Sequence, residues 1–325
     1  MLTSQKLFIL RMPLTESKRP LIIIIGPTAV GKTEISIELA ESLDGEIISA
    51  DSRLFYRGMD IGTAKPTSEE QARVPHHFID IADPDQILSL EMFQKEAHRV
   101  VSDIFERGRV PFMVGGTGQY VRAVIEEWDI PRVAPNPEMR QVLNNWIQEI
   151  GADGLYNRLK QLDPAAAEHI DPRNVRRTIR ALEVVLLSGR LFSTQKSSRP
   201  SRYRILQIGL IRPRSELYTR IDARIDAMLS AGFAEEVQVL LDAGYSSELP
   251  SLSAIGYRQM VEYLQGNIDL DEAITMMKRN TRKFVRRQAN WFKLDDPNIC
   301  WFQMGDGTRE SIEFTIREFL DKRAY

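Results

Sequence analysis

Leu21-Ile22-Ile23-Ile24-Ile25-Gly26-Pro27-Thr28-Ala29-Val30-Gly31-Lys32-Thr33 decides the fold. An unbroken, mostly β-branched apolar run suits a parallel strand buried on both faces, and residues 34–43 then set Ile35, Leu39 and Leu43 at helical spacing. The order is strand, glycine-bracketed loop, helix. Gly26 and Gly31 permit backbone conformations that turn the intervening amides, those of Thr28, Ala29 and Val30 included, round an anionic oxygen. The helix brings its positive end to the same point. In a loop of this kind Lys32 reaches the terminal phosphate and the Thr33 hydroxyl ligates a magnesium ion (Mg2+). Phosphate binding is predicted, and the phosphate compound is left open.

Composition bounds the rest. With 325 residues, 43% hydrophobic and 27% charged, the chain can bury one large core or a core with an inserted module. A single cysteine, Cys300, excludes an internal disulfide framework and a cysteine-based zinc site, and it suits the reducing cytoplasm. No apolar run is long enough to cross a membrane, and Leu7-Phe8-Ile9-Leu10 is too short for a signal-peptide core. Residues 1–19 therefore read as a flexible leader, and the protein as cytoplasmic and monomeric, with no membrane partner. A formal net charge of −2 argues against a nucleic-acid protein on average, but local patches override an average.

Downstream of the loop, residues 45–50 predict a second strand that ends at Asp51, and residues 51–66 lack periodicity and read as a loop. Ligands of open α/β sheets bind beyond the carboxyl ends of strands, which puts Asp51 beside the phosphate loop. There it is either a helix cap or a general base or metal ligand. Residues 75–81 predict a third strand entered through His76 and His77, which lack the carboxylate or cysteine company of a metal site. Residues 90–107 predict a helix with Phe93, Ala97, Val100, Val101 and Ile104 on one side. Val110-Pro111-Phe112-Met113-Val114-Gly115-Gly116-Thr117-Gly118 is then a buried strand breaking into glycines, with the Thr117 hydroxyl directed into the site. No aspartate ends this strand as the second acid of an NTPase would.

From Trp128 the character changes. Pro131, Pro135 and Pro137 mark a linker, and residues 137–150, 154–162 and 174–187 have helical patterns with no strand between them. The fold class predicted is α/β, a P-loop-type parallel sheet flanked by helices, with an inserted all-helical module. The core comprises residues 20–128 and 203–325, and the module residues 129–202. The later part of the module is basic, with Arg173, Arg176, Arg177, Arg180, Arg190, Lys196, Arg199, Arg202 and Arg204 against Asp171 and Glu183. A strand resumes at 205–211. A helix over 217–229 sets Arg220 and Arg224 four residues apart, where like charges repel unless an anion sits between them. Lys278, Arg279, Arg282, Lys283, Arg286, Arg287 and Lys293 form a second basic block, punctuated by Phe284, Trp291 and Phe292, which suits a nucleic-acid backbone. Residues 299–304 predict a last strand and 311–320 a closing helix.

Together these pieces resemble the tRNA dimethylallyltransferase family, over residues 20–301. The resemblance rests on the phosphate loop, Asp51-Ser52, Tyr56-Arg57-Gly58-Met59-Asp60-Ile61-Gly62-Thr63-Ala64-Lys65-Pro66, Pro75-His76-His77, Val114-Gly115-Gly116-Thr117-Gly118, Arg180-Ala181-Leu182-Glu183-Val184, Gly256-Tyr257-Arg258-Gln259-Met260 and Arg287-Gln288. It implies transfer of a dimethylallyl group from dimethylallyl diphosphate to N6 of the adenine 3′ of the anticodon in tRNA. Asp51 would be the general base, and Thr117 would line the channel near the base or the diphosphate. The diphosphate would be held by Gly26, Thr28, Ala29, Val30, Gly31, Lys32, Thr33, Arg220 and Arg224, with Mg2+ on Thr33. The tRNA anticodon stem-loop would meet Asp51, Ser52, Arg53, Leu54, Thr117, Arg140, Arg176, Arg177, Arg180, Ser253, Gly256, Tyr257 and Arg258. Arg282 and Arg286 of the basic stripe would join them. Leu54 stands where many members carry a glutamine.

Three other readings compete. A small-molecule kinase would use the loop for ATP but would not need two basic blocks. A non-catalytic RNA-binding protein would leave Lys32, Thr33 and Asp51 idle. A prenyltransferase of free adenine nucleotides would not need the module or the basic helix.

Overall fold

In a computed structural model, which describes residues 18–131, 133–195 and 199–322, the isoleucine-rich run lies inside strand β1 (Arg19–Ile25), buried from Leu21 to Ile25. The chain continues through α1 (Lys32–Ser42), β2 (Gly45–Ser49), α2 (Ser68–Arg73), β3 (His76–His77), α3 (Leu90–Glu106), β4 (Val110–Gly115) and α4 (Gly118–Ile125). Then follow α5 (Pro137–Leu162), α6 (Pro164–Glu168), α7 (Val175–Ser188), a 3-10 turn at Ser193–Gln195, and β5 (Tyr203–Ile211). The last elements are α8 (Arg214–Ser230), α9 (Phe233–Asp242), α10 (Tyr257–Leu264), α11 (Leu270–Gln288), β6 (Ile299–Gln303) and α12 (Thr308–Asp321).

The strands form one parallel sheet, ordered β3-β2-β4-β1-β5-β6. Successive side chains of β1 alternate between the two faces: Ile22 and Ile24 join the core with residues of α1, α8 and α11, and Leu21, Ile23 and Ile25 join the one with α3 and α4. Each such side chain contributes roughly 1.5–3 kcal/mol on burial, so this strand alone anchors both layers. The predicted α/β parallel sheet with flanking helices is the fold observed.

Residues 1–17 of the expected leader lie outside the described residues, and its last residue, Arg19, begins β1. The strand expected over 75–81 is corrected to His76–His77. Phe78 (φ 64°) and Asp80 (φ 53°) turn the chain out of the ladder, and the amides of Asp80, Ile81 and Ala82 donate to Leu54 and Phe55 carbonyls instead. The apolar run thus braces the 51–57 loop rather than extending the sheet.

Between α4 and β5 the described residues hold only helices, packed on their own cluster of Leu143, Leu155, Leu159, Ile179 and Leu182. The chain breaks at Gly151 (φ 74°) inside α5, where two helical patterns meet. Where the chain leaves and re-enters the sheet domain, Arg202 donates from Nε and Nη2 to the two oxygens of Glu127, both at 2.7 Å.

Candidate active site

β4 lies between β1 and β2, so the loops after β1 and β2 can meet only across the end of β4. That end is Gly115-Gly116. Ala50 N–H donates to Val114 O at 2.8 Å, and a Cβ on Gly115 would lie 2.5 Å from the Ala50 carbonyl oxygen. The glycines keep this junction low.

The phosphate loop is held open by bonds to its carbonyls. Lys32 Nζ donates to Gly26 O (3.0 Å) and Pro27 O (2.8 Å), Arg220 Nε to Ala29 O (2.8 Å), and Arg212 Nε to Val30 O (2.9 Å). With the carbonyls occupied outside, the amides of Ala29, Gly31, Lys32 and Thr33 remain without backbone partners among the described residues. Gly31, the N-cap of α1, has φ 108° and offers no side-chain cap. An anion completes such a helix start. Thr28 differs, because its amide donates to Gln288 Oε1 at 2.9 Å.

Burial lowers the Lys32 pKa to about 8, with Asp51 acting against the shift and Arg224 adding to it. Arg224 is itself lowered by the protein packed about it and then by Arg220, although solvent still reaches it. Three cations therefore crowd the loop, a repulsive arrangement that a bound anion relieves.

Asp51 follows β2 and accepts the Arg53 amide at 3.1 Å on Oδ1. It thus shapes its own turn while facing the loop. Asp51, Lys32 and Thr33 line one cavity of about 60 Å³ whose other walls include Ile47, Leu54, Pro66, His76, Ile79 and Val114. A lysine, a threonine, a carboxylate and apolar side chains share this space. Thr117 is the N-cap of α4, yet its hydroxyl makes no capping bond. Behind the Asp51 turn, Phe55 stacks on Phe93 at 5.8 Å, within a group that includes Phe78 and Tyr120.

The expected RNA contacts divide. Arg53 Nη1 reaches Pro250 O (3.1 Å) and Ser251 O (3.3 Å), bringing the turn with Ser52 and Leu54 against the segment with exposed Ser253 and Arg258. Arg176 and Arg177 are exposed. Arg140 and Arg180 instead ion-pair with Glu183, whose side chain is 0% exposed; a buried carboxylate requires such partners. Gly256 and Tyr257 are buried, and the Tyr257 hydroxyl donates to Glu236 (2.6 Å). The stripe on α11 is likewise not a free row of cations: Lys278 pairs with Asp226 (2.8 Å) and Arg282 with Asp222, both on α8. Arg279, Lys283, Arg286 and Arg287 remain exposed, and Arg279 and Arg286 line a groove of about 350 Å³ between α8 and α11. Lys196 lies outside the described residues.

Sequence reasoning passed over Arg212, His76, Glu236 and Gln288 as parts of the site. His76 Nδ1 donates to Val74 O at 2.7 Å, leaving Nε2 as an acceptor, and burial lowers its pKa. Gln288 belongs to the Arg287-Gln288 pair, but only the folded chain brings it 260 positions back to Thr28.

A family model for IPP transferase matches residues 54–295. A tRNA dimethylallyltransferase of Roseiflexus sp. (strain RS-1) is 54% identical over 93% of this chain and 99% of its own length. The solved structure of a full-length tRNA isopentenylpyrophosphate transferase from Bacillus halodurans superposes with a TM-score of 0.71 at 42% identity, covering 94% of this chain and 98% of that one. That of a eukaryotic dimethylallyltransferase acting on tRNA gives 0.78 at 26% identity, covering 94% and 80%.

Proposed function

The chain belongs to the IPP transferase family, and from that premise we propose that it is an enzyme transferring a dimethylallyl group from dimethylallyl diphosphate to N6 of the adenine 3′-adjacent to the anticodon in tRNA. One observation carries the reading: Lys32 and Thr33 share a single cavity with Asp51 and with the apolar side chains of Ile47, Leu54, Ile79 and Val114. An allylic diphosphate needs a charged end and an apolar end, and an amine acceptor needs a base beside them.

The exocyclic amine is a weak nucleophile, so both partners need assistance. As its lone pair forms the bond to the allylic carbon, the carbon–oxygen bond to the diphosphate breaks and Asp51 takes the amine proton. The free loop amides, Lys32, Arg220 and Arg224 stabilise the charge growing on the departing diphosphate. Thr117, with its uncapping hydroxyl, orients the base or the diphosphate.

Mg2+ fits the donor set. It prefers oxygen ligands and is commonly held by one or two protein groups with substrate phosphates and water. Thr33 is exposed and lines the cavity, and no cluster of three or more acidic, histidine or cysteine ligands exists among the described residues to hold an ion without substrate. When bound, Mg2+ would neutralise diphosphate charge.

The anticodon loop is splayed so that its target base enters the cavity, as single-stranded RNA recognition requires. Exposed Arg176, Arg177 and Arg258 and the groove of α11 hold the backbone. We read the enzyme as a monomer. Among the described residues no helix is long and apolar enough to cross a membrane. The single cysteine suits a reducing compartment, and with a tRNA substrate we place the protein in the cytoplasm. Incubation with labelled dimethylallyl diphosphate tests the activity: label enters unmodified tRNA, and label entering only adenine nucleotides overturns the assignment.

A further inference from the structure

Gln288 ends α11, is 7% exposed, and touches both glycine turns of the site. Its Oε1 accepts the Thr28 amide at 2.9 Å, and its Nε2 donates to Gly116 O at 3.2 Å. A Cβ on Gly116 would lie 2.3 Å from that Nε2, so glycine at 116 is what admits the side chain. The amide group is therefore a built bridge between the phosphate loop and the turn after β4.

Its consequence concerns which anion the loop accepts. In loops of this type the row of amides and the lysine together span consecutive phosphate groups. Here Pro27 has no N–H, and the Thr28 N–H is occupied by Gln288. The unpartnered backbone donors are those of Ala29, Gly31, Lys32 and Thr33, since the Val30 amide turns back to the Pro27 carbonyl at 3.4 Å. A group placed near Thr28 would find no free backbone donor and would meet the lone pairs of Oε1.

We propose that Gln288 is a specificity-determining and positioning residue that shortens the phosphate cradle to two phosphate groups and excludes a third. The inference rests on the diphosphate reading above and names the residue that enforces it. It also gives the missing acid after β4 a counterpart, since the loop is closed to triphosphates by a bond as well as by a lost metal ligand.

The test measures binding of inorganic diphosphate and inorganic tripolyphosphate to the full chain by calorimetry in excess Mg2+. Gln288→Met keeps the length but breaks both bonds. Gly116→Ala, at a position whose φ is not positive, keeps the glutamine but displaces its amide. The wild type should prefer diphosphate, and each variant should narrow that preference by about tenfold, the scale of one hydrogen bond to a charged group. A structural role alone would lower the melting temperature or weaken both anions equally, with the ratio unchanged, and that result overturns the proposal. Should Gln288→Met fail to fold, Gly116→Ala decides. A wild type that binds both anions equally overturns the diphosphate reading together with this inference, whereas an intact preference in the wild type and in both variants overturns the role of Gln288 alone.

Discussion

The hydroxyl of Tyr257 donates to Glu236 Oε1 across 2.6 Å, and the same carboxylate accepts the amides of Asp60 (2.8 Å), Ile61 (2.7 Å) and Gly62 (3.1 Å). One side chain of α9 thereby ties the start of α10 to the loop leading away from Asp51. Gly62 fits because a Cβ there would meet Phe233 at 2.1 Å and Tyr257 at 2.6 Å. Lys65, 4% exposed, secures the other side of that loop through Asp60, Asp80 and the Tyr56 carbonyl (2.8 Å). Two separate sequence motifs are thus halves of one structural joint.

Tyr257→Phe should cost about 1–2 kcal/mol in denaturant unfolding, the usual effect of removing one partner from a hydrogen-bonded carboxylate. Glu236→Gln should cost more, because the neutral amide accepts three backbone donors less well. A double-mutant cycle should show coupling of more than about 0.5 kcal/mol, and additive losses would dissociate the two residues.

The lowered pKa of Lys32 makes diphosphate binding pH-dependent. The free protein loses this proton as pH rises through about 8, and an anion favours the charged form, so binding near pH 8 should take up a fraction of a proton. Affinity should then fall as pH rises further. For stability the sign is opposite: the unfolded lysine keeps its proton to about 10.4, so unfolding free energy should rise between these two values. Calorimetry in buffers of different ionisation enthalpy checks the uptake, which should vanish in Lys32→Arg.

Asp51→Asn should fold, keep the Arg53 turn and bind tRNA, but lose about 10²–10⁴-fold in single-turnover transfer, the scale of a removed general base. An asparagine accepts the Arg53 amide as well as aspartate does. Near-normal turnover would leave Asp51 with its turn alone.

Arg279→Glu and Arg286→Glu should weaken binding of all tRNA sequences alike and flatten the salt dependence, as loss of phosphate contacts does. Lys278→Ala and Arg282→Ala should act more on stability, because their partners Asp226 and Asp222 lose a counter-charge. Salt titrations and thermal melts of the four variants separate the two groups; equal salt slopes throughout would contradict the division.

The phosphate loop, the parallel sheet and the placement of Asp51 at a strand end were legible in the chain itself, because a buried β-branched run, a glycine turn and a helix start are dictated by neighbours in sequence. The helical pattern on either side of Gly151 was legible for the same reason. Charge pairing was not. Arg140, Lys278 and Arg282 have the spacing of free cations, and only packing of α5 on α7 and of α8 on α11 brings Glu183, Asp226 and Asp222 to them, whereas Arg180 meets Glu183 three residues on within α7. The short β3 was decided the same way, by carbonyls of a distant loop competing for its amides. Local periodicity determines which elements form and which faces they bury, since those forces act within a few residues. Which polar group meets which, as Gln288 meets Thr28 across 260 positions, depends on where the completed elements dock, and that is a property of the tertiary structure alone.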